Sequence, residues 1–269
     1  MAKLYIRNSV LESGKPQIAI SLIGTTEEEL LEECRQVLEM PCDILEWRAD
    51  YYLKGIHDAG KDTDTAKSYV DIIRILDHIR YMAGDKIIIF TNRRKGQGGV
   101  SGMTKEQCDT LRVIVAQSGL ADIIDIEMFD EEGKYSESKT RKHIQAIHDL
   151  KCKALLTFHN YEFMPDNKSI MNLILRMKDL GADICKISAF AKTRDDADRL
   201  LEISKLLTGE GIGPLVMIAM GEEGQASRVA SARYGSCMSF AAGVNPSAPG
   251  QIDAETFKTL LDQYYSLEG

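Results

Sequence analysis

Short apolar runs alternate with longer amphipathic segments along the chain, and this alternation restricts the possible folds more than any other feature. Eight apolar runs have the length and composition of buried strands, at residues 17–24, 42–49, 86–92, 121–128, 153–160, 182–188, 214–221 and 234–243. The segments between them carry apolar residues at three- and four-residue spacing, which predicts helices, for example at 26–40, 66–82, 104–119 and 253–266. Strands that alternate with helices predict right-handed crossovers and a parallel sheet.

Eight such units in 269 residues fit a closed (β/α)8 barrel, the α/β fold called the TIM barrel, better than an open doubly wound sheet. The open sheet stays an alternative at this point, because the pattern does not reveal strand order. No linker or low-complexity tract divides the chain, so we expect residues 1–269 to form one barrel domain. Residues 3–14 contain two short β-like stretches, which predict a hairpin that closes the bottom of the barrel.

Net charge and cysteine usage limit the classes of binding partner and the cellular compartment that we expect for this protein. A formal net charge of -8 argues against nucleic acid or an anionic membrane as the main partner, because such proteins usually carry a basic patch. A small anionic substrate stays compatible, since it needs only a few local arginines. The six cysteines are scattered without a C-x-x-C pair, and no long apolar segment predicts a secretory signal or a membrane span. We therefore expect a cytoplasmic protein with reduced thiols.

Charged residues stand near the C-terminal ends of several predicted strands, which is where barrel enzymes place their chemistry. Side chains alternate along a strand, so Glu46 and Arg48 face the predicted barrel mouth while Trp47 faces the helices. An ordinary ion pair at a strand end is the alternative interpretation of this pair. The same two-residue alternation applies to two further pairs. It places Asp125 and Glu127 on the same face of their strand, and Thr157 and His159 on the same face of theirs.

His159 is the only histidine that ends a predicted apolar strand. His57 falls in a polar loop, and we expect His78, His143 and His148 to occupy solvated helix positions. A buried structural histidine would also fit the position of His159.

Several common site motifs are missing from the sequence. No H-x-x-x-H, H-E-x-x-H or cysteine cluster occurs, which favours a mechanism without a metal. Neither glycine-rich phosphate motif nor a G-x-S-x-G elbow is present, so we expect no cofactor of that kind and no acyl transfer. We interpret the glycine-rich residues 95–102 as a mobile loop that could act as a lid.

Lys186 lies in the middle of the apolar run 182–188. A structural interpretation is that its stem packs along the strand while the ammonium group reaches the rim. A functional one is that burial and nearby cations lower the pKa of the amine, whose neutral form can attack a ketone and form an iminium. Arg48, Arg93 and Arg228 could supply the cations, and His159 on the preceding strand could supply the base. Together these residues predict Schiff-base chemistry on an anionic ketone.

Seven segments resemble, in order and spacing, those of the type I 3-dehydroquinate dehydratases. They are ILEWRAD (44–50), FTNRRKGQGG (90–99), IDIEMF (124–129), TFHNY (157–161), ADICKIS (182–188), MGEEGQASR (220–228) and NPSAPGQ (245–251). The resemblance covers essentially the whole chain. It implies a (β/α)8 barrel, usually a homodimer, that removes water from 3-dehydroquinate to give 3-dehydroshikimate, on the route to chorismate and the aromatic amino acids.

The resemblance also implies roles for individual residues. Lys186 matches the Schiff-base lysine of the family, and His159 matches its general acid/base. The other matches are substrate-binding residues: Ser21, Glu46, Arg48, Arg93, Arg228, Ser247 and Gln251.

One position departs from the family pattern. Gln97 stands where the motif R-x-x-x-E-G-G has glutamate, which can orient the histidine and stabilise its charged form. Glutamine keeps the capacity for a hydrogen bond but brings no charge. We hypothesise that His159 therefore has a lower pKa, and that turnover is slower, than in a relative with glutamate.

Two alternative functions stay open at the level of the sequence. A class I aldolase also uses a barrel lysine, but such enzymes usually bind phosphate through glycine-rich loops after strands seven and eight. Here those loops carry Arg228 and SAPGQ, which suit a carboxylate and hydroxyl groups better. A relative that only binds a metabolite is the second alternative; the intact Lys186 and His159 argue against it.

Overall fold

Parallel strands arranged in chain order form the centre of the fold. The protein is described by a computed structural model, which covers residues 2–59, 65–130 and 133–266. The strands in these ranges are β1 (Lys3–Ile6), β2 (Ser9–Glu12), β3 (Gln17–Leu22), β4 (Ile44–Arg48), β5 (Ile87–Thr91), β6 (Ile123–Glu127), β7 (Lys153–Asn160), β8 (Ile184–Phe190), β9 (Leu215–Met220) and β10 (Met238–Ala241). From β3 to β9 each strand pairs in parallel with the next, and β10 pairs with β3. A parallel bridge between Leu215 and Ser236 joins β9 to the segment before β10, so the sheet closes on itself.

Helices follow the strands and cover the outside of the sheet. They are α1 (Glu27–Leu38), α2 (Ala49–Asp58), α3 (Thr65–Ala83), α4 (Lys105–Ser118), α5 (Glu137–Asp149), α6 (Asn167–Asp179), α7 (Arg194–Gly209), α8 (Gln225–Ala230) and α9 (Ala254–Ser266). Side-chain caps satisfy free N–H groups where some of them begin: Thr26 accepts from Glu29, and Thr104 forms a capping box with Gln107. The predicted (β/α)8 barrel is confirmed, and the closed sheet rules out the open-sheet alternative. None of the described helices is long and apolar enough to cross a bilayer.

The two faces of the barrel strands pack into two separate apolar layers. The inner layer includes Ile44 and Ile89, and the outer layer, shared with the helices, includes Trp47. Alternation along β4 thus turns Trp47 outwards and leaves Glu46 and Arg48 on the inner face, as predicted. The predicted hairpin is also confirmed: β1 and β2 pair antiparallel, and their residues Ile6 and Leu11 join the inner layer at the end where the strands begin.

The structure corrects the sequence predictions mainly at strand ends. The predicted strand 234–243 shortens to β10, because the chain turns at Gly235, whose φ of 94° lies in the left-handed region. The predicted strand 182–188 extends to Phe190, which pairs with Met220 of β9.

Two histidine predictions are wrong. His57 lies in α2 rather than in a loop, because the chain turns helical directly after β4. His143 is not solvated: only 13% of its side chain is exposed, since α5 turns this residue towards Asp109 of α4.

Candidate active site

Polar residues from the C-terminal ends of the strands converge on one small cavity. The residues that line it include Glu46, Arg48, Arg93, His159, Lys186, Arg228, Ser247 and Gln251. Its volume is about 40 Å³. A cavity of about 570 Å³ lies outside the barrel, between α2 and the segment 99–103, and contains none of these residues.

Lys186 occupies the middle of β8, opposite Thr157 of β7 and Val216 of β9. It is only 5% exposed, so its ammonium group does not reach the rim. Burial lowers the pKa of the amine to about 8; Glu46 raises the pKa and Arg93 lowers it. At pH 7 roughly a tenth of the lysine is then neutral, against about three parts in ten thousand at its ordinary pKa. The structural interpretation of a snorkelling lysine is wrong, and a buried amine that can act as a nucleophile takes its place.

His159 lies near the end of β7, beside Arg93. Its Nδ1 is 3.1 Å from Nη1 of Arg93. A guanidinium group can only donate, so Nδ1 accepts this hydrogen bond and the proton of the neutral ring lies on Nε2. Burial, Arg93 and Lys186 lower the pKa of the imidazole well below its ordinary value of 6.5. His159 is therefore neutral at pH 7.

Two of the three cavity arginines are paired with carboxylates. Arg48 donates to both carboxylate oxygens of Asp50 at 2.8 Å. Arg93 donates to Asp125 at 2.8 Å and to the hydroxyl of Thr157 at 2.9 Å. These contacts hold both guanidinium groups in fixed positions and offset part of their charge.

Arg228 differs from the other two. Its Nη atoms donate to the carbonyl groups of Phe240 at 3.4 Å and Pro249 at 2.9 Å, and its Nε has no hydrogen-bond partner among the described residues. Burial lowers its pKa to about 10, so the group is charged at pH 7. Arg228 thus brings to the cavity a positive charge that no carboxylate of the described residues neutralises.

Glu46 is a buried carboxylate with two hydroxyl partners. It accepts hydrogen bonds from Ser21 at 2.6 Å and from Thr91 at 2.9 Å. Burial alone would raise the pKa of this carboxyl group. The nearby positive charges of Lys186 and Arg48 lower it by more, so the pKa lies below its ordinary value. The carboxylate is therefore ionised. Within the described ranges no group of three or more His, Cys, Asp or Glu side chains is arranged to hold a metal ion.

Sequence comparison assigns this barrel to a family. The family model described as type I 3-dehydroquinase matches residues 18–268. The chain belongs to this family.

Relatives of this type I 3-dehydroquinase match along nearly the whole chain. The 3-dehydroquinate dehydratase of Neisseria meningitidis is 32% identical over 259 residues, which cover 96% of both chains. The enzyme of that name from Listeria welshimeri is 29% identical over 262 residues, covering 97% of this chain and 98% of the relative. The crystal structure of 3-dehydroquinate dehydratase from Geobacillus kaustophilus superposes with a TM-score of 0.89 at 24% identity, covering 100% of this chain and 98% of that one. That likeness establishes the shared fold.

The loop after β10 completes the site of this 3-dehydroquinase. Oε1 of Gln251 accepts hydrogen bonds from the backbone N–H groups of Ser247 at 2.7 Å and Ala248 at 3.2 Å. The Ser247 hydroxyl donates to the Ser21 hydroxyl at 3.0 Å. Ser21 does not itself line the cavity; it lies between Glu46 and Ser247. Ser21 therefore orients two groups that line the cavity.

Gln97, the departure from the family pattern, lies in a short 3-10 helix, Lys95–Gln97, after β5. It is 8% exposed, and its Oε1 accepts a hydrogen bond from the backbone N–H of His159 at 3.0 Å. The next residue, Gly98, has a φ of 77°, and a Cβ there would lie 2.2 Å from the ring of Tyr161. That ring stacks on His159, with 6.4 Å between the ring centroids. The loop therefore contacts His159 both directly and through Tyr161.

Some cavity residues were not predicted from the sequence. They are Tyr161, Ser188, Ile218, Met220, Phe240 and Ala248. Strand parity could have found two of them: Ser188 follows Lys186 at the two-residue spacing of one strand face, and Phe240 is on the inner face of β10.

Proposed function

We propose that Lys186 and His159 carry out, in this chain, the reaction for which its relatives are named, the removal of water from 3-dehydroquinate to give 3-dehydroshikimate. The chain is a hydro-lyase of the type I 3-dehydroquinase family. The main support for this mechanism is the buried amine of Lys186, which has a pKa of about 8. It lies in a cavity at the C-terminal ends of the barrel strands. The family membership leaves no support for a class I aldolase.

The first step forms the iminium. The neutral Nζ of Lys186 attacks the ketone carbon of 3-dehydroquinate, and the resulting carbinolamine takes up one proton and loses one water molecule. The positive charge that remains on nitrogen makes the proton on the adjacent carbon acidic. Because Lys186 is buried, little bulk water competes for the ketone.

The second step is the elimination. His159 removes the acidic proton, and the electron pair moves to nitrogen to give an enamine. The enamine expels the hydroxyl group one carbon further on, which takes up the proton from His159 and leaves as water. Burial and the Arg93 guanidinium lower the pKa of His159, so its imidazolium returns the proton readily. Water then hydrolyses the product iminium, which restores the neutral amine and releases the proton taken up in the first step. The net change is the loss of one water molecule.

We assign the substrate carboxylate to Arg228. Arg48 and Arg93 are already paired with Asp50 and Asp125. Arg228 is charged and buried, and its Nε has no hydrogen-bond partner within the described part of the chain. A carboxylate placed there satisfies the free donor and neutralises the charge. Glu46, Ser247 and Gln251 then face the hydroxyl groups of the ring.

Borohydride reduction tests the mechanism. The full-length protein is mixed with 3-dehydroquinate, reduced and digested, and the peptide that contains residue 186 is analysed by mass spectrometry. We expect the reduced adduct on Lys186, its loss in Lys186→Met, and its retention in Lys192→Met, which alters an exposed lysine just after β8. Absence of the adduct would contradict the Schiff-base mechanism. An adduct without formation of the enone product would favour the relative that binds a metabolite without turning it over.

We further propose that residues 1–269 form one catalytic domain that acts as a homodimer in the cytoplasm. Pairing of β3 with β10 at opposite ends of the chain supports one domain, although residues 1, 60–64, 131–132 and 267–269 lie outside the described ranges. The six cysteines are buried and free of disulfides, which suits a reducing compartment. The homodimer rests on the family resemblance, and sedimentation velocity of the purified protein tests it.

A further inference from the structure

The nitrogen of Lys186 lies against an aromatic ring. Nζ is 3.8 Å from the ring centroid of Phe240, which reaches into the cavity from β10, two strands away from β8. Phe240 is only 4% exposed, so little water lies between the ring and the cation. Among the described residues, Nζ makes no hydrogen bond and no ion pair within 4.0 Å. The ring face is therefore the direct partner of this nitrogen.

We propose that Phe240 is a positioning residue whose ring face holds the Lys186 nitrogen and stabilises its cationic forms, above all the iminium. This inference rests on the proposed Schiff-base function. The face of an aromatic ring carries negative electrostatic potential, and its attraction for a cation grows when water is excluded. The iminium charge forms on the same nitrogen that carries the ammonium charge, so a ring that stabilises one stabilises the other.

The charged groups around Lys186 explain why a neutral partner is useful here. Those that face it are Glu46 and Arg48 of β4, Arg93 after β5, Asp125 of β6 and His159 of β7. Glu46 and Asp125 are already engaged by hydroxyl groups and by Arg93. A carboxylate in direct contact would hold the lysine as an ammonium ion, because it would raise the pKa of the amine. The ring stabilises positive charge more weakly, which keeps the neutral amine accessible.

Phe240 also holds a second part of the site through its backbone. Its carbonyl group accepts a hydrogen bond from Nη1 of Arg228 at 3.4 Å. Replacement by a smaller residue could therefore disturb both the lysine and the arginine. A test must change the electrons of the ring and leave its shape and backbone in place.

Stepwise fluorination of Phe240 meets that requirement. The full-length protein is made with 4-fluoro-, 3,5-difluoro- and 3,4,5-trifluorophenylalanine at position 240, because each fluorine weakens the negative potential of the ring face with little change in size. At about pH 9.5, where the free Lys186 amine is mostly neutral, only the iminium loses stabilisation, so we expect the iminium trapped by borohydride at subsaturating 3-dehydroquinate to fall in step with fluorine number, roughly tenfold across the series. The acid limb of kcat/KM that belongs to Lys186 should move to lower pH, by up to about one unit, because the ammonium form also loses stabilisation.

A matched series at Phe257 serves as the control. Phe257 is fully buried on α9, in the outer apolar layer, and the same three rings there should leave trapping and the pH profile unchanged. Equal trapping by all four rings at position 240, or a loss unrelated to the number of fluorines, would overturn the role of Phe240. An adduct that forms at Lys186 regardless of fluorination would leave the Schiff-base function intact, whereas no adduct in the unmodified protein would contradict that function itself.

Discussion

The backbone N–H of His159 donates a hydrogen bond to Oε1 of Gln97, with 3.0 Å between the two atoms. The contact joins the loop after β5 to the end of β7. Because the glutamine is neutral, it brings no negative charge to offset the burial and the cations that lower the pKa of His159. A glutamate at this position would bring a negative charge next to His159, and we hypothesise that it would make the imidazole a stronger base.

Gln97→Glu is therefore expected to raise the pKa of His159 by about one unit. Since catalysis requires the neutral imidazole, the acid limb of kcat/KM that belongs to His159 should move to higher pH, and kcat above that limb should rise several-fold. Steady-state kinetics with 3-dehydroquinate from pH 5 to pH 9 provide the measurement. Gln145→Glu, on the exposed face of α5, makes the same chemical change away from the site. An unchanged rate together with an unchanged pH profile would refute the hypothesis.

Arg228→Lys should weaken substrate binding more than it slows chemistry. Lysine keeps the positive charge but cannot offer the planar pair of donors that a carboxylate accepts. We expect KM to rise by roughly 10- to 100-fold, which corresponds to the loss of one charge-assisted hydrogen bond or slightly more, with a smaller change in kcat. Arg233→Lys, at an exposed position just after α8, is the matched control. A fall in kcat at constant KM would assign Arg228 to the chemical step rather than to binding.

The fold could be predicted because its signals are local. Apolar runs bounded by glycine and polar residues mark each strand, and alternation within β4 already separates Trp47 from Glu46 and Arg48. The ends of strands were harder, since pairing partners decide them. Phe190 belongs to β8 because Met220 lies beside it, and no local signal in residues 182–190 reveals that neighbour.

The site was predicted less completely than the fold. Lys186 and His159 stand out because charged and polar residues are rare in buried strands, whereas Tyr161 and Phe240 look like ordinary core aromatics. The difference between Arg228 and the other two arginines depends on which carboxylates lie nearby in space. Asp125 is 32 residues from Arg93 in the chain, so only the folded barrel brings the two together.

Gly98→Ala should damage the site more than the fold. The φ of 77° is unfavourable for alanine, and the new Cβ would lie 2.2 Å from the ring of Tyr161, so that ring must move and its stacking on His159 must change. We expect kcat/KM to fall roughly tenfold and the free energy of unfolding to fall by about 1 kcal/mol. Enzyme kinetics and urea unfolding measure the two effects.

Two comparisons isolate the contact between Gly98 and Tyr161. Gly102→Ala changes a glycine of the same loop that has open space around it, and should preserve activity. In a Tyr161→Ala background, Gly98→Ala should lower kcat/KM much less, because the ring that the methyl group meets is gone. Equal losses in both backgrounds would show that backbone strain alone is responsible.

His143 should make the protein less stable in mild acid. Burial lowers its pKa in the folded state from 6.5 to about 4, so between these values the unfolded chain binds a proton that the folded chain does not. The free energy of unfolding must then decrease as pH falls through this window, and His143 alone should remove about 2 kcal/mol between pH 7 and pH 5.

Urea unfolding at pH 7 and pH 5 measures this effect. The decrease in the free energy of unfolding should be smaller by about 2 kcal/mol in His143→Gln. The control His57→Gln, at an exposed position on α2, should show the same decrease as the unmodified protein. His159, whose pKa is also lowered, contributes with the same sign in all three proteins, so it cancels in the comparison. If the free energy of unfolding of His143→Gln falls between pH 7 and pH 5 by as much as that of the unmodified protein, His143 is not the source of the pH dependence.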